Sequence, residues 1–399
     1  MSQAVTMNGT QRSRSTTRAA TNRVWMIDYV LLLAVTLLIV IGLVMVASSS
    51  ISIADNNFSS PFHYLLRQLV FLAIGLTLAT GVFFVPLAVW QRIGPMVIIA
   101  SIVMLVAVFI PGLGKHVNGS TRWINFGVFN LQVAEFVKLF VIIYLSSYLV
   151  RHTQALRTTV SGFYRPLVLM FIIVFLLLMQ PDFGSSVVIL VTALGMFWLG
   201  GAKFSQFMLI GFATTGAMAL VAVASPTRMA RLTTFINPWA EQYKGGFQLT
   251  QALIAFGRGD WVGVGLGNSI QKMFYLPEAH TDFIFAVVAE EFGMFGGFVV
   301  LALFVVLISR AILIGYQAEQ REFPFGGYVA YGIGIWFGFQ ALVNIGVNMG
   351  VLPTKGLTLP FISYGGSSLV ISCIAIALLL RIKHELHKYD RHVFNRDAR

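Results

Sequence analysis

Apolar runs of membrane-spanning length recur along the whole chain. Ten can be read, near residues 29–48, 66–85, 95–111, 134–150, 166–180, 185–201, 206–224, 283–309, 326–349 and 368–381. A bilayer's hydrocarbon core is about 30 Å thick and a helix rises about 1.5 Å per residue, so roughly 20 apolar residues cross it. Backbone N–H and C=O groups in that core must be paired within the chain, which makes such runs helices. Only 11% of the 399 residues are charged, against about a quarter in soluble domains. A chain so poor in charge cannot cover a water-facing surface of its size. The expected fold class is therefore all-α: a polytopic integral membrane protein of about ten transmembrane helices, with a long loop between helices 7 and 8.

The net charge of +12 raises nucleic acid as a partner, and its distribution excludes it. The basic residues are spread among loops between apolar runs, where topology and anionic lipid account for them. With the N-terminus inside, 17 of the 27 Lys and Arg residues fall on the inner side. That bias puts both termini in the cytoplasm. Residues 1–24 read as a disordered basic tail, 25–382 as the membrane domain and 383–399 as a second tail. Three outer segments stand apart from short connectors: 112–133, 225–282 and 350–367. The longest holds an amphipathic stretch, Phe247–Phe256, expected at the bilayer surface. The single cysteine, Cys373, lies in an apolar run and says nothing of redox compartment.

Few residues can carry chemistry, and they gather at the outer ends of spans. Asp282 is the last polar residue before Phe283–Val288. Half-sunk there, a carboxylate gains basicity and suits a general base; a helix N-cap is the competing reading. His280, two residues earlier, reads as a hydrogen-bonding group, and no spacing supports a metal site. Glu290 and Glu291 lie deeper on the same helix. They face either a cavity or another helix's hydrogen-bonding groups. Glu135 and Lys138, spaced i,i+3, share a helix face. The pair lowers its own burial cost, or sets an ammonium beside a phosphate. Arg122 beside Trp123 is an interfacial anchor or a diphosphate ligand. The irregular stretch Pro353–Ser368 carries Lys355, Ser363 and Tyr364 among prolines, glycines and hydroxyls. At membrane level such backbone has to be buried in protein or line a wet cavity. Together these features suit an anionic, lipid-linked substrate handled at the outer leaflet.

The segments Arg122–Gly127 with Gln132–Leu139, Asn237-Pro238-Trp239, Gly246–Arg258, Tyr275–Phe283 and Pro353–Ser368 resemble the motifs of the SEDS family (shape, elongation, division, sporulation). Phe247–Gln251 and Leu276–Phe283 most resemble its FtsW-type, cell-division branch. The resemblance spans roughly 25–382. It departs at Val133-Ala134-Glu135, where the family usually shows Pro-Ser-Glu. It implies ten transmembrane helices, a periplasmic long loop and a glycosyltransferase that polymerises lipid II, with Asp282 as the essential acid. The substrate-binding set it suggests is Arg122, Glu135, Lys138, His280, Lys355, Ser363 and Tyr364. It fixes no cofactor; a divalent cation (Mg or Mn) is the candidate for assisting the leaving diphosphate. Implied partners are lipid II and the lipid-linked glycan, a class B penicillin-binding transpeptidase (FtsI type), and divisome regulators of the FtsQ, FtsL and FtsB type. The implied location is the inner membrane at the division septum. Lipid II flipping and a non-catalytic divisome scaffold are the alternatives. The pairs Gly293/Gly297 and Gly334/Gly338 have close-packing spacing. Either they pack this bundle together, or they receive the transpeptidase's membrane helix.

Overall fold

The computed structural model describes residues 27–117, 119–125, 127, 129–354 and 356–397. The basic N-terminal tail, Lys355 and the last two residues lie outside that set.

Each of the ten apolar runs is a helix. In chain order the structure places α1 (Tyr29–Phe58), α2 (His63–Phe84), α3 (Leu87–Ala107), a small sheet of β1 (Gly114–Val117), β2 (Ser120–Asn125) and β3 (Asn130–Gln132), then α4 (Val133–Arg151) and the short α5 (Thr153–Thr158). There follow α6 (Val160–Met179), α7 (Phe183–Leu199), α8 (Phe204–Val223), α9 (Pro226–Ile236), α10 (Phe247–Gly259), α11 (Ile284–Gln320), α12 (Pro324–Asn348) and α13 (Gly366–Asp397). Nine helices among the described residues are long and apolar enough to cross a membrane, and α7 is a shorter apolar tenth. Asp182 starts α7 by accepting from Ser185 N at 3.2 Å. This makes Gln180–Gly184 the tight turn that its Pro and Gly suggest.

Burial sorts the helices into layers. α4, α12 and α13 form the centre, where Trp336, Phe337, Leu139 and Ile142 are fully buried. α2 and α8 lie outside, with large apolar side chains turned outward, such as Leu209, Phe212 and Leu220. Soluble proteins rarely expose such continuous apolar surface; lipid is its solvent.

Three elements run further than the apolar pattern, among them α13, which continues past the run's end at 381 to Asp397. α1 continues through Ser48, Ser49 and Ser50 to Phe58. α11 continues past the run's end at 309 to Gln320. α11 is also broken near its start: Gly293 has φ +66°, a left-handed conformation that glycine adopts freely. The break lets the backbone of Gly293 lie against Trp261 and Gly263 of the long loop.

The two buried glutamates resolve as ties between elements. Glu290 Oε1 accepts from Arg258 at 2.6 Å and from Ile270 N at 3.1 Å, and its other oxygen accepts from Ser269 Oγ. Glu291 Oε1 accepts from Lys272 at 2.7 Å and from Ser48 Oγ at 2.7 Å. Burial of a carboxylate is costly unless it is paired and hydrogen-bonded, and both conditions are met. These bonds fasten the long loop to α11 and α1. The expected amphipathic stretch is α10, which turns Leu249, Ala252 and Ala255 inward and packs on α11. Gly334 and Gly338 serve this bundle: a Cβ on them would meet Ala311 and Ile308 of α11 at 3.3 and 3.2 Å.

Candidate active site

The three irregular segments converge at one end of the bundle and enclose a cavity of about 1280 Å³. One wall is the antiparallel sheet, in the order β1-β2-β3. The sheet was not foreseen, although Asn118-Gly119 between β-prone residues is a hairpin signal. It carries Lys115, Arg122 and Trp123 to the cavity, and the start of α4 adds Glu135. Opposite stand Glu241, Lys244 and Gln248 of the long loop. Glu278, Thr281, Asp282, Gly356 and Tyr364 close it, and Arg67 of α2 lies beside them.

Of the residues singled out in the sequence, Arg122, Glu135, Asp282 and Tyr364 line this cavity. Asp282 is half-buried, and the N-cap position of α11 falls one residue later, on Phe283. Arg122 is held by main-chain carbonyls of the α6–α7 turn: Nη2 donates to Pro181 O at 2.5 Å and Nε to Gln180 O at 3.5 Å. Glu135 is buried. One oxygen accepts from Lys138 at 2.8 Å, and the other has no partner.

Lys138, Ser363 and His280 stand one layer back. Lys138 is not a lining residue. Its ammonium donates to Glu135 and, at 2.7 Å, to Gln340 Oε1, and lies 5.3 Å from the centre of the Trp336 ring. Ser363 Oγ donates to Thr281 O at 2.6 Å and accepts from Leu359 N at 2.8 Å, which ties the Asp282 loop to the Pro353–Ser368 loop. His280 packs in a three-ring cluster with Tyr64 and Tyr364, at 4.7 and 5.7 Å, and those two rings are themselves 5.0 Å apart. Burial pushes its pKa below the ordinary imidazole value, against an opposing pull from Glu278. Its Nδ1 is buried without a partner. Burial likewise raises the Tyr364 phenol, opposed by Arg67. Both rings are therefore neutral near pH 7.

A second, mostly apolar cavity of about 470 Å³ adjoins the first. Its walls are Val187, Leu190 and Leu194 of α7, Thr215 and Met218 of α8, and Leu232 of α9. Arg122, Thr354 and Gly356 line both spaces. A polar chamber thus opens onto an apolar slot, with a guanidinium at the junction.

The sequence reading missed two groups. Arg67, Lys115 and Lys244 line the chamber, and no motif in the sequence marks them. Gln340, Asn344 and Asn348 were passed over inside an apolar run, although their spacing of four puts three amides on one helix face. Among the described residues no three His, Cys, Asp or Glu side chains cluster as metal ligands.

Comparison with known proteins agrees with this arrangement. A peptidoglycan glycosyltransferase relative of Nitrosococcus halophilus, named as probable FtsW, is 52% identical over 358 residues, 90% of this chain and 92% of that one. A relative of Pseudomonas fluorescens bearing the same name is 49% identical over 360 residues, covering 90% and 88%. A solved chain described under "Structural coordination of polymerization and crosslinking by a peptidoglycan synthase complex" superposes with a TM-score of 0.74 at 26% identity, covering 91% of this chain and 99% of that one. The rod shape determining protein RodA of Thermus thermophilus shares the fold, with a TM-score of 0.65 at 24% identity over 90% and 97% of the two chains. The family described as cell cycle protein, FtsW/RodA/SpoVE, matches residues 28–388, which include every segment that builds the two cavities. The chain belongs to the FtsW/RodA/SpoVE family.

Proposed function

We propose that the chain is a peptidoglycan glycosyltransferase of the FtsW type, polymerising lipid II into β-1,4 glycan strands with Asp282 as general base. The observation that carries this reading is a half-buried carboxylate, Asp282, on the wall of a chamber that Arg67, Lys115, Arg122 and Lys244 also line, with an apolar slot opening beside Arg122. Sugar and peptide belong in the chamber, a polyprenyl tail in the slot, and the diphosphate between them.

The chemistry is a single in-line displacement. An acceptor sugar hydroxyl attacks the anomeric carbon of the lipid-linked donor as its proton passes to Asp282. The C–O bond to the diphosphate breaks and its electron pair leaves with the lipid diphosphate. An α-linked donor gives a β product, so configuration inverts. The transition state is oxocarbenium-like, by analogy with glycoside hydrolysis. Arg122 and the neighbouring Arg67, Lys115 and Lys244 stabilise the departing charge. Lys355 is proposed to join them, and Lys138 to act through Glu135. A divalent cation, Mg or Mn, would be held by the chamber's carboxylates Asp282 and Glu278 and would supply positive charge to the leaving diphosphate.

The loop end then faces the periplasm and both termini face the cytoplasm, at the division septum of the inner membrane. The partner is a class B penicillin-binding transpeptidase of the FtsI type, with regulators of the FtsQ, FtsL and FtsB type. The glycine pair on α12 is engaged within the bundle, so its membrane helix docks on another face.

The test is purified protein with its transpeptidase, given lipid II and assayed for glycan polymer. Asp282→Asn keeps the size of the side chain and removes its basicity; it should abolish polymer while leaving partner binding intact. Full polymerase activity in that variant would refute the base assignment. Translocation of lipid II across vesicles without polymer would favour a flippase.

A further inference from the structure

α12 carries three side-chain amides at four-residue intervals, Gln340, Asn344 and Asn348, exposed by 0, 2 and 0%. That spacing aligns them along one helix face. A carboxamide inside a span is costly unless its donors and acceptors are matched, so what they bind is informative.

Asn344 Nδ2 donates to Asp282 O at 3.0 Å and to Leu357 O at 2.6 Å. Asn348 Nδ2 also donates to Asp282 O, at 2.9 Å, while its Oδ1 accepts from Ala286 N at 3.0 Å. Gln340 Nε2 donates to Thr358 O at 2.8 Å. Its Oε1 accepts from Lys138 and from Trp336 Nε1, at 2.7 and 2.8 Å. The carbonyl of Asp282 therefore has both acceptor positions filled from α12. The bonds to the two loops go to main-chain groups, so they fix the path of the backbone. The amide orientation of Asn344 follows from this, since a flipped amide would set its oxygen against two carbonyl oxygens.

Residues 282 and 356–358, some 74 positions apart in the chain, are thus referenced to one rigid helix face. They meet at the Asp282 carboxylate, whose Oδ2 is 3.1 Å from where a Cβ of Gly356 would lie. Gln340 extends the same register to the Glu135–Lys138 pair across the cavity. We infer that Gln340, Asn344 and Asn348 are positioning residues that set the Asp282 carboxylate against the acceptor hydroxyl by holding the backbone of both loops. This rests on the reading of Asp282 as base.

The experiment compares wild type with Asn344→Leu, close in size and without a donor, and with Asn344→Ala, which only removes atoms. Each is purified with the transpeptidase, checked for monodispersity and lipid II binding, and assayed over a range of lipid II concentrations. Misplacement of a reacting group by about 1 Å can cost about 100-fold in rate. The expected result is a kcat lower by about 10- to 100-fold in a folded variant that still binds lipid II, with KM changed by less than about threefold. A kcat within about tenfold of wild type in either folded variant, including a loss carried by KM alone, overturns the inference. Asp282→Asn is run in parallel. If it is inactive while Asn344→Leu or Asn344→Ala retains kcat, positioning fails and the base reading stands. If it is fully active, the base reading fails first.

Discussion

Gly356 stands directly against the carboxylate of Asp282, so close that a methyl group added to it would lie 3.1 Å from Oδ2. Ordinary contact between such atoms is longer, at about 3.5 Å or more. Gly356→Ala should therefore push the carboxylate aside without unfolding the bundle. The expected result is a fall of roughly tenfold or more in polymerisation rate, with lipid II binding retained. Rate and binding measured on the same preparation check it, and a wild-type rate would mean that the carboxylate moves without consequence.

Arg122 is pre-held by two carbonyls of the α6–α7 turn. A fork already oriented loses little freedom on meeting a diphosphate, and a lysine keeps the charge without the fork. Arg122→Ala should weaken lipid II binding by about tenfold or more, and Arg122→Lys by less. Titration of labelled lipid II at two salt concentrations reads both effects. Equal losses would make Arg122 an interfacial anchor.

Glu135 and Lys138 form an ion pair with side chains 3 and 1% exposed. Removing one partner strands the other charge, at a cost of about 3–5 kcal/mol, whereas removing both can be nearly neutral. Glu135→Gln and Lys138→Met should each lower the melting temperature in detergent, and the double variant should recover most of the loss. Additive losses in a thermal melt would contradict this.

His280 gives the fold a pH dependence. Its folded pKa lies below the ordinary 6.5 because the ring is buried. As pH falls through the unfolded value, the unfolded chain takes a proton that the folded chain refuses. Its contribution to stability is therefore whole above about pH 6.5 and is lost on acidification toward the folded value. Melting temperature should drop between pH 7.5 and 5.5, and His280→Gln should lose less over that interval. Parallel curves for the two proteins would count against it.

The ten spans were legible because apolar length is a local property, countable in a window. The long-loop amphipathic helix was visible for the same reason, in Phe247–Phe256. Asp282, the proposed base, could be picked out because it sits at a polar–apolar edge. What the sequence hid was pairing at a distance. Nothing near Glu290 announces Arg258 or Ser269 as its partners, and nothing near Lys138 announces Gln340. The sheet at 114–132 escaped because three short strands carry too few residues for alternation to register. Asn344 and Asn348 escaped because, in an apolar run, single amides read as tolerated exceptions until their shared face is noticed.

α8 contains no buried residue over Phe204–Val221, and its packing is on α7 and α9. It is nevertheless one wall of the apolar slot beside Arg122. The surrounding acyl chains therefore hold one side of that slot in place. Its 20 residues span about 30 Å, so a thinner or thicker bilayer meets it with hydrophobic mismatch, relieved by tilt. Tilt of α8 moves that wall, so the width of the slot should vary with the thickness of the host membrane.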